Sequence, residues 1–478
     1  MTDAPGTPPA WRVAAAATLA GGAVLGWRSG SSPSARLVVA ASFATAIVAS
    51  GRIALASRRP PIAPDAIEPL PGAGATFTVI VAARDEANAL PRLIADLGTQ
   101  DHRTDEGRPL FELIVVDDRS TDGTPQAALR AAAAAGLGDV TRLVRRSGDG
   151  LPDGKGAALT AVATESCHGD FIVVLDADAR VGAGFLATLA RYAAAGADAM
   201  TVRRRVLHPD RSHLAGAQAD EQTADGEIQR GRWALGGCSE FRGNGIVVRR
   251  ELLGAVGGWR AEALTEDLDL SSRIAAARGV TVAWAIDAEV WEEPVLTWRA
   301  LWRQRTRWAE GALRRAIEHA PAVLGSERLA LPAKLDFATY VGQIAAPPVL
   351  LGALTRAAVT WRWKGAAALV AAYAIVAGGL GFDALRWEHD AAGRPLAVSE
   401  RLWRAGRLAA FGGVWIAAVP AAMWRLASRR GAVAYDKMPH EGAGEPAPAP
   451  WQAHRGPSLA GVAVRPAATH AGDGAEPA

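Results

Sequence analysis

The chain has 478 residues, half of them hydrophobic and 21% charged. It is too polar to lie wholly in a membrane and too apolar to be wholly soluble, so a soluble domain joined to apolar segments fits best. The net charge of +3 and the lack of a dense Lys/Arg run argue against nucleic acid as a partner. Much of the Arg flanks apolar stretches, the pattern of a membrane surface.

In chain order, residues 11–27 and 37–51 are Ala-rich apolar runs. Each is close to the lower limit of about 17 residues for a spanning helix. A cleaved signal peptide would account for the first run only. The pair therefore reads as a hairpin, with two transmembrane helices in residues 1–57. A Pro-rich linker follows over 58–76, with Arg58 and Arg59 at its membrane side.

Residues 77–293 have the texture of a soluble α/β domain. "TFTVIVAAR", "FELIVVDD" and "DFIVVLDAD" are short β-branched runs between Ala-rich helical stretches. Buried parallel strands read this way. Residues 294–335 carry Arg and Trp at helical spacing. Three apolar segments, about 338–358, 365–382 and 408–424, make residues 336–426 a C-terminal transmembrane region. The tail, 427–478, is rich in Pro, Gly and Ala and reads as disordered. Cys167 and Cys238 sit in no CxxC spacing, which argues against structural zinc and fits a reducing compartment.

The candidate chemistry lies at the strand ends, where open α/β sheets bind ligands. "VVDDRSTDGT" places Asp117, Asp118 and Asp122 at a strand-to-loop junction, with Thr124–Pro125 as a helix start. The same residues also suit a solvated turn. "LDAD" offers Asp176 and Asp178, two carboxylates able to converge on Mg²⁺ or Mn²⁺, which complete their shells with water and phosphate oxygens. Lys155, flanked by Gly154 and Gly156, suits an anion or an exposed loop equally. In "LTEDLDL", Thr265 is a candidate N-cap, and Glu266 and Asp267 open a helix where a carboxylate could act as a general base.

Six elements in order resemble the family 2 glycosyltransferases: "VVDDRSTDGT", "GKGAAL", "LDADA", "FRGNGIVVRRELLGAVGGW", "LTEDLDL" and "QRTRW". They look most like the membrane-embedded branch that includes cellulose, hyaluronan and poly-N-acetylglucosamine synthases, over roughly residues 77–308. The resemblance implies a GT-A fold, a Rossmann-like α/β nucleotide-sugar domain set between transmembrane helices with interfacial amphipathic helices. It also implies a UDP-sugar donor, inversion, and a glycan or lipid acceptor. By the same resemblance Asp118 contacts uracil with Asp117 beside it, and Lys155 faces the diphosphate. Asp178 binds the metal, and Asp176 contacts the metal or ribose. Asp267 deprotonates the acceptor hydroxyl, with Glu266 as its catalytic neighbour. Gln304, Arg307 and Trp308 match QxxRW: Arg307 pairs with the diphosphate and Trp308 faces an acceptor sugar. Phe241 and Arg242 lie near the acceptor. Trp298, Trp302 and Arg303 read as interfacial anchors.

The sequence departs from the pattern at Ala83 and Asp85, where the family often has Pro and Asn. Arg242 and Asn244 stand where polymer synthases commonly have small or neutral residues, which leaves the acceptor open. Intact Asp118, Asp178, Asp267 and QRTRW argue against a non-catalytic binding module. A nucleotidyltransferase has no use for QRTRW. The expected setting is the cell membrane, with the catalytic domain in the cytoplasm, where nucleotide sugars are made. Three crossings after that domain would put the tail outside, whereas Arg425, Arg429 and Arg430 argue for the inside.

Overall fold

The computed structural model describes residues 7–58, 74–148, 150–390 and 393–429. Most of the expected linker and nearly all of the expected tail fall outside these residues.

One eight-stranded sheet organises the soluble domain. Its strands are β1 (Phe77–Ala83), β2 (Phe111–Asp118), β3 (Thr141–Arg146), β4 (Phe171–Asp176), β5 (Arg180–Val181), β6 (Ala199–Val206), β7 (Ile246–Arg249) and β8 (Ala283–Glu292). They lie in the order β3-β2-β1-β4-β7-β6-β8-β5. β3, β2, β1 and β4 are parallel, β7 runs antiparallel between β4 and β6, and β8 is parallel to β6.

The helices begin with a pair, α1 (Pro9–Ser29) and α2 (Pro33–Ser57). Within the domain come α3 (Leu90–Gly98), α4 (Thr124–Ala134), α5 (Lys155–Leu159), α6 (Phe185–Ala194), α7 (His213–Ala234), α8 (Arg250–Ala255) and α9 (Glu266–Arg278). After it come α10 (Trp298–Gly325), α11 (Leu331–Gly342), α12 (Ala346–Thr360), α13 (Lys364–Ala384), α14 (Val398–Phe411) and α15 (Gly413–Ser428).

The central strands are apolar on both faces because both faces are covered. Val79, Val81, Val115 and Val173 enter one core with Leu93 and Leu186. Their neighbours Ile80, Ile114, Val116 and Val174 enter the other, with Leu159, Leu253 and Leu270. This is the period-2 alternation of a strand. Each fully buried Val, Leu or Ile contributes roughly 1.5–3 kcal/mol.

Among the described residues, four helical stretches are long and apolar enough to cross a membrane: Pro33–Ser57, Leu331–Thr360, Lys364–Trp387 and Val398–Ser428. The sequence led us to expect five. The run at 11–27 does form a helix, α1, but it is not among the four. α1 instead packs tightly on α12: a Cβ at Gly26 would collide with the Val349 carbonyl oxygen, and one at Gly352 with that of Ala23. Small residues permit such approach between apolar helices.

The last stretch is docked on the domain at both ends. Arg404 and Arg407 of α14 each donate to Asp220 of α7 at 2.7 Å. Trp415 Nε1 donates to Glu221 at 2.7 Å, and Arg429 reaches Glu310 of α10 at 2.8 Å.

Candidate active site

β1, β2 and β4 are parallel and end at one edge of the sheet, and the strand order reverses at β1. A crevice opens at such a switch point. Asp117 and Asp118 end β2, Asp176 ends β4, and Asp178 follows two residues later.

Asp118 is buried and engaged by two guanidiniums. Arg119 Nε donates to its Oδ1 at 2.9 Å, and Arg146 Nη1 donates to the same oxygen at 2.8 Å. Arg146 stands directly opposite Asp118 on β3. Asp117 is also buried; its Oδ1 accepts from the Ser120 N–H at 3.3 Å, and Arg145 lies 3.5 Å from its Oδ2. Arg119 has a φ of +61° and also donates to Asp153, so it pins the loop before Lys155 onto the end of β2. The α4 helix starts one residue earlier than expected. Thr124 is already helical, and Asp122 Oδ1 accepts its N–H at 3.0 Å, which satisfies a donor the helix leaves open.

Lys155 is the centre of the site. Its Nζ donates to Asp176 Oδ1 at 2.5 Å and to the Gly243 carbonyl at 2.7 Å, and lies 3.7 Å from Glu266 Oε1. Burial works against the Lys155 charge, but Asp176 and then Glu266 outweigh it and raise its pKa. Burial pushes Glu266 up to about 7, only partly offset by Lys155. Burial also raises Asp267, against the pull of the Leu268 N–H and of Arg242, Lys155 and Arg204. Thr265 occupies the N-cap position of α9 without a capping side-chain hydrogen bond. Asn244 Oδ1 accepts the Asp176 N–H at 3.1 Å and fixes the end of β4.

Arg242 is half-buried beside this cluster. It donates to Asp225 and, at 2.7 Å, to the hydroxyl of Tyr340 on α11. Tyr340 lies within one of the four apolar stretches, so the site borders that region. Phe241, expected beside the acceptor, is instead fully buried in the core with Ile246 and Trp259; its ring packs and presents nothing to a ligand.

α10 supplies the remaining side chains. Trp308 is half-buried, with the Arg305 guanidinium 4.2 Å and that of Arg204 5.7 Å from its ring. Arg305, not Arg307, is the deeply buried arginine of this motif: it pairs with Glu221 and donates to Gln304 Oε1. Arg307 is half-buried, and Trp302 is exposed. Gly311 joins α10 to the start of α9, since a Cβ there would collide with the Thr265 side chain.

The donors at the end of β4 fit a small divalent cation. Asp176 and Asp178 are hard oxygen ligands two residues apart, and Asp176 already neutralises one cation, Lys155. A second group, Asp269, Glu318 and His319, brings its ligand atoms within 4.8 Å. Its carboxylates are already engaged: Arg260 bridges Asp269 and Glu318 at 3.2 and 2.5 Å, and Arg273 holds Asp269 at 2.8 Å. That network ties α9 to α10.

Thus Lys155, Asp176, Glu266, Asp267 and Arg242 form one electrostatic cluster, and Arg204 joins Trp308 to it. Arg204 keeps its charge against burial through Glu292, then Asp176 and Asp225. Sequence reasoning missed Arg204, Asp225 and Tyr340. The available signal was the triplet Arg203–Arg205 on β6. Its outer members reach Glu388 and its middle one reaches Glu292, on the opposite face of the strand.

A mixed α/β sheet that gathers carboxylates, a lysine and arginines at its carboxyl edge is the arrangement of a transferase domain of GT-A type. The family described as "Glycosyltransferase like family 2" matches residues 73–311, half of the chain, and the chain belongs to it. A beta-monoglucosyldiacylglycerol synthase of Nostoc sp. is 33% identical over 288 residues, 58% of each chain. One of Synechocystis sp. is 34% identical over 248 residues, 50% of this chain and 48% of that one. The chain thus spans less than two thirds of these relatives' length. The mannosyltransferase PcManGT from Pyrobaculum calidifontis, solved with GDP-Man and Mn²⁺, is 21% identical, covering 87% of this chain and 98% of that one, with a TM-score of 0.48.

Proposed function

We propose that this glycosyltransferase moves one sugar from a UDP-sugar to the hydroxyl of a membrane lipid of the diacylglycerol class, with inversion at the anomeric carbon. The observation that carries the reading is the Lys155–Asp176–Glu266–Asp267 cluster, in which Glu266 is buried and the other three are half-buried, bordered by Arg242 and by Tyr340 of an apolar helical stretch. The glycolipid-synthase relatives support a lipid acceptor over a growing polysaccharide.

In this reading the acceptor oxygen attacks the anomeric carbon from the side opposite the diphosphate. The bond to UDP breaks, and the hydroxyl proton passes to a carboxylate oxygen of Asp267. Burial makes Asp267 a stronger base than an exposed aspartate. Glu266, at about 7, is partly protonated at neutral pH, so the pair carries less than two full charges there. Lys155 and Arg307 face the diphosphate, Asp117 and Asp118 border the base, and Trp308 orients the acceptor. Asp176 and Asp178 would hold Mg²⁺ or Mn²⁺, which supplies positive charge for the leaving diphosphate. UDP release from a panel of UDP-sugars, with and without diacylglycerol, tests this. Release that does not depend on the lipid contradicts it.

The membrane arrangement that goes with this reading is two hairpins side by side, with α1 crossing against α12 although it is not one of the four most apolar stretches. α2 and α13 end together, with Arg58 on Asp383 at 2.6 Å, and α1 lies along α12. α14 and α15 lie against the cytoplasmic domain and do not cross. The charge conflict at Arg425 and Arg429 then disappears, because these residues remain on the domain's side. Labelling of a cysteine placed at Ser428 from the outer face of sealed vesicles would contradict this topology.

A further inference from the structure

α10 carries a second charged cluster that sugar transfer does not use. Glu310 is 1% exposed, and three guanidiniums converge on it: Arg314 and Arg429 at 2.8 Å and Arg425 at 3.9 Å. Arg12, in the first turn of α1, joins them by donating Nε to the Ala427 carbonyl at 3.2 Å. Trp11 lies beneath Arg314, its ring 5.9 Å away. Among the described residues, Glu310 is the one carboxylate within ion-pairing distance of these four arginines. The cluster therefore has three positive charges in excess.

Its place in the fold says what could balance them. Arg12 stands at the start of apolar α1, and Arg425 and Arg429 stand at the end of α15. Trp424, beside them, is strongly exposed. Arginine and tryptophan at the ends of apolar helices lie at headgroup depth. Guanidiniums bind phosphate with two parallel hydrogen bonds, and the cytoplasmic leaflet is where anionic headgroups concentrate. Arg307 and Glu310 share a face of α10, and Arg314 lies two turns beyond Arg307.

We propose that Arg12, Arg314, Arg425 and Arg429 bind the headgroup phosphate of an anionic phospholipid, and that this lipid steadies α10 and so raises the transfer rate. The proposal rests on the reading that the apolar helices lie in a membrane. The site differs from the acceptor site, because diacylglycerol carries no phosphate.

The test uses the full chain. Native mass spectrometry in detergent measures retained phosphatidylglycerol against phosphatidylcholine, with inorganic phosphate as competitor. UDP release is then compared in vesicles of phosphatidylcholine alone and in vesicles that also contain phosphatidylglycerol. Wild type should retain phosphatidylglycerol preferentially, resist displacement by free phosphate, and turn over several-fold faster in the anionic vesicles. Arg425→Gln/Arg429→Gln should lose both effects, while remaining folded and keeping the phosphatidylcholine rate. If that variant unfolds, Arg12→Gln, whose polar contact is only a carbonyl, carries the same test. Equal retention of the two lipids by wild type, or an unchanged response in the variant, overturns the proposal. Absence of UDP release in every vesicle would count against the transferase reading, while lipid retention still decides the site.

Discussion

Gly311→Ala adds one methyl group at the point where the QRTRW helix touches the helix of the proposed base. A Cβ there would lie 2.6 Å from Thr265 Oγ1 and 3.0 Å from Thr265 Cβ, and would collide with Cγ2. Rotating the Thr265 side chain cannot clear the contact, because its Cβ is itself too near. The backbone must move, and overpacking of this kind costs about 1–3 kcal/mol. Replacing glycine by alanine inside a helix returns about 1 kcal/mol. The net expectation is a destabilisation of up to about 2 kcal/mol. The effect on rate is larger, since a displacement of about 1 Å can cost on the order of 100-fold. The assay is kcat/KM by UDP release, with thermal unfolding measured in parallel. Thr265→Ala removes the two nearest atoms and leaves Cβ at 3.0 Å, so the double variant should recover part of the lost rate, a coupling that neither single change shows. Wild-type activity in Gly311→Ala, or no recovery in the double variant, would refute the claim that this contact sets the approach of α10 to Asp267.

Asp267→Asn should lower kcat by roughly 10²–10⁴-fold with little change in UDP affinity. Because burial raises Asp267, its base form is lost at a higher pH than that of an exposed aspartate, so wild-type kcat/KM should fall on the acid side and hold steady on the alkaline side; an acid limb no higher in pH than that of an exposed aspartate would contradict this. Asp178→Asn should abolish transfer in a folded protein, and EDTA should do the same to wild type until Mg²⁺ or Mn²⁺ is restored; full activity in EDTA sinks the metal assignment. Trp308→Ala should cut turnover severely, while Trp302→Ala should mainly loosen membrane association, measured in the same membranes; equal mild losses would reduce the stretch to an anchor.

The strands of the first half-sheet were legible because burial on both faces leaves continuous apolar runs such as "FELIVVDD". Their acidic ends gather at the sheet edge proposed here to bind the donor. Partners brought in by long-range contacts were not legible. Arg146 meets Asp118 only through the β2–β3 register, and Tyr340 reaches Arg242 from 98 residues away. Phe241 misled because its neighbours carry polar chemistry while its own side chain faces the core. The three C-terminal apolar segments were legible, but composition alone does not separate a spanning helix from one docked through charge, so the proposed placement of α14 and α15 on the domain was not. Arg401, Arg404 and Arg407, spaced by three, were the available warning, since such spacing puts them on one face of α14. The cap of α4 was misplaced by one residue because Asp122 and Thr124 are both competent capping types.

The most direct test of the account is the identity of the product. The purified full chain, supplied with a divalent metal, UDP-glucose and diacylglycerol in vesicles, should yield a lipid carrying a single hexose, seen by mass spectrometry of the organic extract. The glycosidic bond should have the anomeric configuration opposite to that of the donor. A ladder of lipid-free or multiply glycosylated products, or no sugar-bearing lipid with any UDP-sugar tried, would contradict it.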